Sequence, residues 1–115
     1  MAISDLLHVT AEPLEDAIII RATGEIDIST IEVIRSGLDR AREQTGTVLL
    51  DLSGITFIDS SGLRLLLEAS RSSAVSGWYF FVVRPSEAVT RLVQLSGRAD
   101  SLLMVVDPSA DRLVA

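Results

Sequence analysis

The sequence predicts an α/β fold in which helices pack against one mixed, mostly parallel sheet of four to five strands. Three observations point there. Short apolar runs alternate with helix-patterned segments from Ser29 onward, the order that builds parallel strands through crossover helices. The two strand candidates before Ser29 are joined only through Pro13 to Asp16, a length that suits an antiparallel hairpin. Trp78 to Val83 is apolar without alternation, the pattern of a strand covered on both faces.

Leu6 to Glu12 and Ala17 to Thr23 are the hairpin strands, and Gly24-Glu25-Ile26-Asp27 is expected to turn the chain. Ser29 followed by Glu32 forms a capping box ahead of a helix whose Ile31, Ile34, Leu38 and Ala41 fall at helical spacing, with Gly46 as its stop. Thr47 to Leu52 is the next strand. A polar loop from Ser53 then leads to a second helix over Ser61 to Ser76, with Leu63, Leu66, Leu67 and Ala74 on one side and Gly77 as terminator. After Trp78 to Val83, Pro85 and Ser86 open a third helix carrying Val89, Leu92 and Leu95, stopped near Gly97. Ser101 to Val106 is the last strand, and Asp107-Pro108 starts a short helix over 107–115. The core is expected over about residues 6–106 of a single domain, 1–115. The loops at Gly24 to Asp27 and Ser53 to Ser61 both follow strands, so they can share one rim of the sheet, where ligands and partners of such folds dock.

Composition removes several classes of function. The chain has 115 residues, enough for one core, and 48% hydrophobic residues, too many for a disordered segment. A net charge of −6 with no basic run argues against nucleic acid as a partner. No apolar stretch can span a bilayer, and Met1 to Glu12 lacks a secretory-signal layout, so a cytoplasmic protein without membrane attachment is expected. With no cysteine, disulfides and thiolate metal sites are excluded.

An enzyme is hard to build from these residues. His8, the only histidine, lies inside the first strand, where packing or an edge position explains it. Ser60 and Ser61 lack the flanking glycines of a nucleophile elbow, and neither a P-loop nor a GxGxxG motif is present. Asp27, Asp51 and Asp59 have no metal-liganding spacing, so neither metal nor cofactor is expected. Trp78, Tyr79, Phe80 and Phe81 are four of the five aromatic residues and fit a covered strand better than an exposed patch.

The informative stretch is Asp59-Ser60-Ser61-Gly62. Ser60 or Ser61 could simply cap the second helix, worth about 1 kcal/mol. A cap needs one hydroxyl, however, and two stand here behind an aspartate. Gly62 in the first helical turn costs up to about 1 kcal/mol against alanine, which suits a close approach by another molecule. Asp27 is similarly surplus if Ser29 and Glu32 cap the first helix; a solvated turn residue and a recognition residue both fit it.

Gly24-Glu25-Ile26-Asp27, the stretch Val48 to Leu67 with Phe57-Ile58-Asp59-Ser60-Ser61-Gly62-Leu63, and Pro85 to Gly97 with Arg91-Leu92 together resemble the STAS-domain family, within it the free-standing bacterial anti-sigma factor antagonists. The resemblance runs over roughly Leu6 to Val106. It implies a non-enzymatic regulator that binds an anti-sigma factor, itself a serine kinase of the histidine-kinase-type ATPase fold, and so releases a sigma factor. It implies phosphorylation on the serine after the motif aspartate, Ser60, with Ser61 the neighbouring candidate, and reversal by a PP2C-type phosphatase. The partner-binding surface would comprise Asp27, Asp59, Ser60, Ser61, Gly62 and Arg64 on a monomer or weak dimer. Arg64 stands where a glycine is frequent, and Gly97-Arg98 replaces glycine followed by an apolar residue. Other free-standing relatives of this kind act as adaptor subunits in stress-signalling or phospholipid-transport complexes, the alternative function.

Overall fold

The computed structural model describes residues 2–3 and 6–105. Strands β1 (Ala2–Ile3), β2 (Leu7–Pro13) and β3 (Ile18–Ile26) precede helix α1 (Ile31–Gln44). Then come β4 (Thr47–Ile58), α2 (Ser60–Ser76), β5 (Tyr79–Val83), α3 (Glu87–Ser96), a 3₁₀ turn at Ala99–Ser101 and β6 (Met104–Val105). All six strands lie in one sheet, side by side in chain order. β1, β2 and β3 pair antiparallel, whereas β3 to β6 run parallel. The expected mixed, mostly parallel sheet is present: four long strands carry it, and a two-residue strand extends each edge.

Strand alternation distributes the core over both faces. Ile18, Ile20, Val48, Leu50, Phe80 and Val82 join the main core, to which the helices contribute Ile34, Leu38, Leu65, Leu66, Val89 and Val93. Their neighbours Ile19, Leu49 and Val83 cluster separately, with Phe81 against them. Burial on both faces is why these strands read as unbroken apolar runs. Asp51 is buried at the same level, its Oδ1 accepting from the Ser53 N–H at 2.9 Å and its Oδ2 lying 3.7 Å from Arg21 Nε, so it is committed to structure and is no cation ligand.

Two expected turns are strand instead. Gly24-Glu25-Ile26 belongs to β3, and Ser53 to Ile58 belongs to β4, paired up to Ile26 opposite Ile58. Between the pairs Arg21–Asp51 and Ile26–Ile58, β4 holds two more residues than β3, absorbed at register shifts. The glycines permit this. Gly24 has φ +117°, and a Cβ there would meet the Leu6 carbonyl oxygen at 2.0 Å; a Cβ on Gly54 would meet Thr23 Cγ2 at 2.4 Å. Each marks a close approach of strands inside the sheet, a role that looks like a turn when only the local sequence is read.

Smaller corrections follow from packing. The Ser29–Glu32 capping box does not form: Thr30 is the N-cap residue of α1 without a side-chain cap bond, and Glu32 pairs with Arg35 at 3.2 Å. The buried side of α2 is Gly62, Leu65, Leu66 and Ala69; Leu63 and Leu67 are only partly buried and Ala74 is exposed. In α3, Val89 and Val93 face the core while Leu95 is 79% exposed. Tyr79 is exposed at the start of β5, and Trp78 is buried just before it under the Arg42 guanidinium, 4.5 Å from the ring centroid. The expected strand Ser101 to Val106 starts only at Met104, because Ala99–Ser101 coils into the 3₁₀ turn. Val106 and the expected helix 107–115 lie outside the described residues. Among those described, no helix is long and apolar enough to cross a membrane.

Candidate functional site

The carboxyl ends of β3 and β4 finish level. Ile26 and Ile58 are register partners, and the Asp59 N–H donates to the Ile26 carbonyl at 3.2 Å. Neighbouring strands run about 4.8 Å apart, so the aspartates that follow, Asp27 and Asp59, leave the sheet side by side. Each then makes the same turn. Asp27 Oδ1 accepts from the Ser29 N–H at 2.9 Å and the Ser29 hydroxyl at 2.6 Å. Asp59 Oδ1 accepts from the Ser61 N–H at 2.9 Å and the Ser61 hydroxyl at 2.5 Å. The rim is therefore a pair of Asp-X-Ser turns, in which the carboxylate gathers the donors of the second residue on.

This geometry separates the two motif serines. Asp59 is the N-cap of α2, and its Oδ1 also accepts from the Gly62 N–H at 3.3 Å. Neither Ser60 nor Ser61 is the cap, contrary to the simplest reading of the motif. Ser61 is part-buried with its hydroxyl committed to Asp59, whereas the Ser60 hydroxyl is exposed and forms no hydrogen bond among the described residues. In the twin turn the position matching Ser60 is Ile28, 81% exposed. One rim thus shows solvent a free hydroxyl beside an apolar side chain.

Asp27 is not surplus to structure. Its turn is pinned by Thr30, 1% exposed, whose hydroxyl oxygen accepts from the Asp27 N–H at 3.0 Å and whose hydroxyl donates to the Glu25 carbonyl at 2.9 Å. The Ser29 hydroxyl bond chiefly holds the Asp27 carboxyl below its ordinary value of 3.8, against a penalty from partial desolvation, and the N–H groups of Ser29 and Thr30 act in the same direction. A lowered folded-state pKa contributes stability that is complete above the unfolded value and lost as pH falls through the folded one. The acid side of the stability profile, below about pH 4, is accordingly expected to be shallower in Asp27→Asn than in the parent when urea midpoints are compared across pH.

Gly62 sits on the buried side of α2. A Cβ there would meet Ile58 Cγ1 at 2.6 Å and Ile26 Cγ2 at 2.8 Å, so the glycine lets the helix start press onto the ends of β3 and β4. Its close approach is to the chain's own core, and it reaches a partner only through the placement of Ser60. Arg64 is exposed one turn along α2 and shares a groove with Ser60, Arg71 and Arg98. Ile28 and the half-exposed Phe57 are rim residues that sequence reasoning passed over. The available signal was an isoleucine inside the polar run Asp27-Ile28-Ser29-Thr30, ahead of the helical pattern that starts at Ile31. Among the described residues no three His, Asp or Glu side chains are grouped to hold a metal ion. His8 is exposed on β2 opposite Thr23, three residues short of Ile26 on β3, and takes no part in the Asp27 or Asp59 turn.

Comparison with known proteins adds a family to this geometry. The family model described as the STAS domain matches residues 8–111. A protein of Paenibacillus polymyxa described as an anti-sigma F factor antagonist is 31% identical over 93 residues, which cover 79% of this chain and 80% of that one. The structure of the anti-sigma factor antagonist SpoIIAA in its unphosphorylated form superimposes with a TM-score of 0.70 at 25% identity, over 90% of this chain and 92% of that one. The phosphorylated form of the Bacillus cell fate determinant SpoIIAA superimposes at 0.67 and 24% identity, over 90% and 96%.

Proposed function

The chain belongs to the STAS-domain family, and from that premise we propose that it is an anti-sigma factor antagonist switched off by phosphorylation of Ser60. One observation carries the choice of residue: of the two motif hydroxyls, Ser61 is tied to Asp59, whereas Ser60 is exposed and unbonded among the described residues. The partner is an anti-sigma factor that is also a serine kinase of the histidine-kinase-type ATPase fold. It docks on the rim formed by Asp27, Ile28, Asp59 and Ser60, with Arg64 beside it. Both turns are preformed by their own hydrogen bonds, so docking orders little further backbone. Ile28 supplies apolar area, and the two carboxylates set polarity and register.

In the unmodified state this contact withdraws the anti-sigma factor and releases a sigma factor. In the modifying step the Ser60 Oγ bonds to the γ-phosphorus of ATP as the bond to the β–γ bridging oxygen breaks. ADP leaves, and the hydroxyl proton passes to a base of the kinase. A PP2C-type phosphatase hydrolyses the ester and restores the hydroxyl. That SpoIIAA, of similar fold, has been described in both an unphosphorylated and a phosphorylated form supports a two-state reading.

The test is to incubate the protein with ATP and histidine-kinase-type anti-sigma factors from the same genome, and to read intact and peptide masses. One phosphate on Ser60 is expected. Ser60→Ala should take none. Ser61→Ala should still be modified at Ser60, at a stability cost of about 1 kcal/mol for the lost bond to Asp59. Phosphate on Ser61 would overturn the site. No phosphate with any candidate, together with stable copurification in a transport or scaffold assembly, would replace the reading by the adaptor function.

A further inference from the structure

Ser60 stands at one end of a surface groove that follows α2, and three arginines line the groove: Arg64, Arg71 and Arg98. All three are exposed, and none of their guanidinium groups forms an ion pair among the described residues. Arg21, Arg35 and Arg91, by contrast, each hold a carboxylate. The carboxylate lining the groove, Glu68, lies 3.4 Å from Arg35. A chain of net charge −6 thus keeps a cationic strip beside its free hydroxyl.

We infer that this groove seats the phosphoryl group of phosphorylated Ser60, with Arg64 as its direct partner. The inference rests on the proposed modification of Ser60. Ser60 is the first residue of α2 and Arg64 is four residues on, so the two share a face with Cβ atoms about 5–6 Å apart. Helical side chains lean toward the N-terminus, which carries the Arg64 guanidinium back toward position 60. A phosphate monoester offers three acceptor oxygens, and a guanidinium presents a planar fork that engages two of them. Arg71 lies roughly 16 Å along the axis from Ser60, so it supplies field and leaves contact to Arg64. The off state is then an ion pair within one chain. The phosphate is folded back onto α2, and a phosphatase must displace Arg64 before it can reach the ester.

The test installs phosphoserine at position 60 during translation, so no kinase is needed, and follows its ³¹P resonance against pH in the full chain. The charged groups facing the phosphate are Asp27 and Asp59 on the rim and Arg64, Glu68, Arg71 and Arg98 along the groove, together with the N–H groups that open α2. All except position 64 are unchanged between the parent and Arg64→Gln. The second phosphate pKa, ordinarily about 6, is expected to rise by about 0.5 to 1 in Arg64→Gln. Arg64→Lys should recover part of that difference, and added salt should shrink it. Unmodified parent and Arg64→Gln should melt together, since Arg64 forms no ion pair among the described residues. Superimposable ³¹P titrations of parent and Arg64→Gln would overturn the inference and leave the modification of Ser60 standing. Failure of every kinase to modify Ser60 would overturn the proposed function without changing the titration.

Discussion

Ser60→Asp is expected to weaken binding to the anti-sigma factor by roughly a hundredfold while the fold is retained. The new carboxylate stands beside Asp59, on a rim already carrying Asp27. One like-charge contact with an acidic group of the partner, at ~5 Å and an effective dielectric of ~20, costs on the order of 3 kcal/mol. Every 1.4 kcal/mol is a factor of about ten in affinity. The same change is harmless to the free protein. The Ser60 hydroxyl has no bond to lose among the described residues, and an acidic residue in the first turn of α2 gains about 0.3–1 kcal/mol from the helix dipole. Loss of binding with an unchanged melting temperature is therefore the signature of a local electrostatic switch, readable by titration calorimetry of parent, Ser60→Ala and Ser60→Asp. Ser60→Ala should bind like the parent and resist inactivation by kinase and ATP. If Ser60→Asp bound like the parent, charge at this position would not be the switch.

The largest effect on stability is expected at Gly24→Ala, in the strand that leads to the rim. Gly24 sits in β3 at φ +117°, opposite Leu7, and its missing Cβ would fall 2.0 Å from the Leu6 carbonyl oxygen. That oxygen also accepts from the Glu25 N–H at 2.8 Å, so it cannot move without breaking the pairing of β2 with β3. Backbone strain of about 1–3 kcal/mol and overpacking of similar size combine to about 3–5 kcal/mol. For a domain of this size each kcal/mol lowers the melting temperature by about 3–6 °C, so a fall of about 10–30 °C is expected by circular dichroism. A fall of only a few degrees would show that the strand end rearranges to admit a side chain. Because β3 delivers Asp27 to the rim, binding should decline along with stability here, unlike at Ser60.

Local chemistry located most elements but misjudged where they begin. Ser53-Gly54 and Gly24-Glu25 carry turn residues, and turn chemistry reads the same whether a glycine reverses the chain or lets two strands approach. The Ser29–Glu32 spacing satisfies a capping box, yet Ser29 spends its N–H and hydroxyl on Asp27. Leu63, Leu66, Leu67 and Leu95 fit a helical stripe, but the rotation of each helix on the sheet buries only Leu66 of these, together with Leu65 and Val93. At the two glycines and on the helix faces, contacts from distant residues decide the outcome; at Ser29 a neighbouring aspartate does.

By itself the sequence determined the α/β class, the succession of strands and helices, the glycine stops at Gly77 and Gly97, and the Asp-Ser-Ser-Gly stretch that carries the family likeness. These follow from period, composition and capping, which act over a few residues. Only the tertiary structure decided that Ser60 is the free hydroxyl, that Ile28 stands in the matching position of a twin turn, that Gly62 serves the core, and that Arg64 shares a groove with Arg98. The reason is register. Placing Ile26 opposite Ile58 requires β4 to absorb two extra residues across the sheet, and no interaction within a single segment sets that pairing.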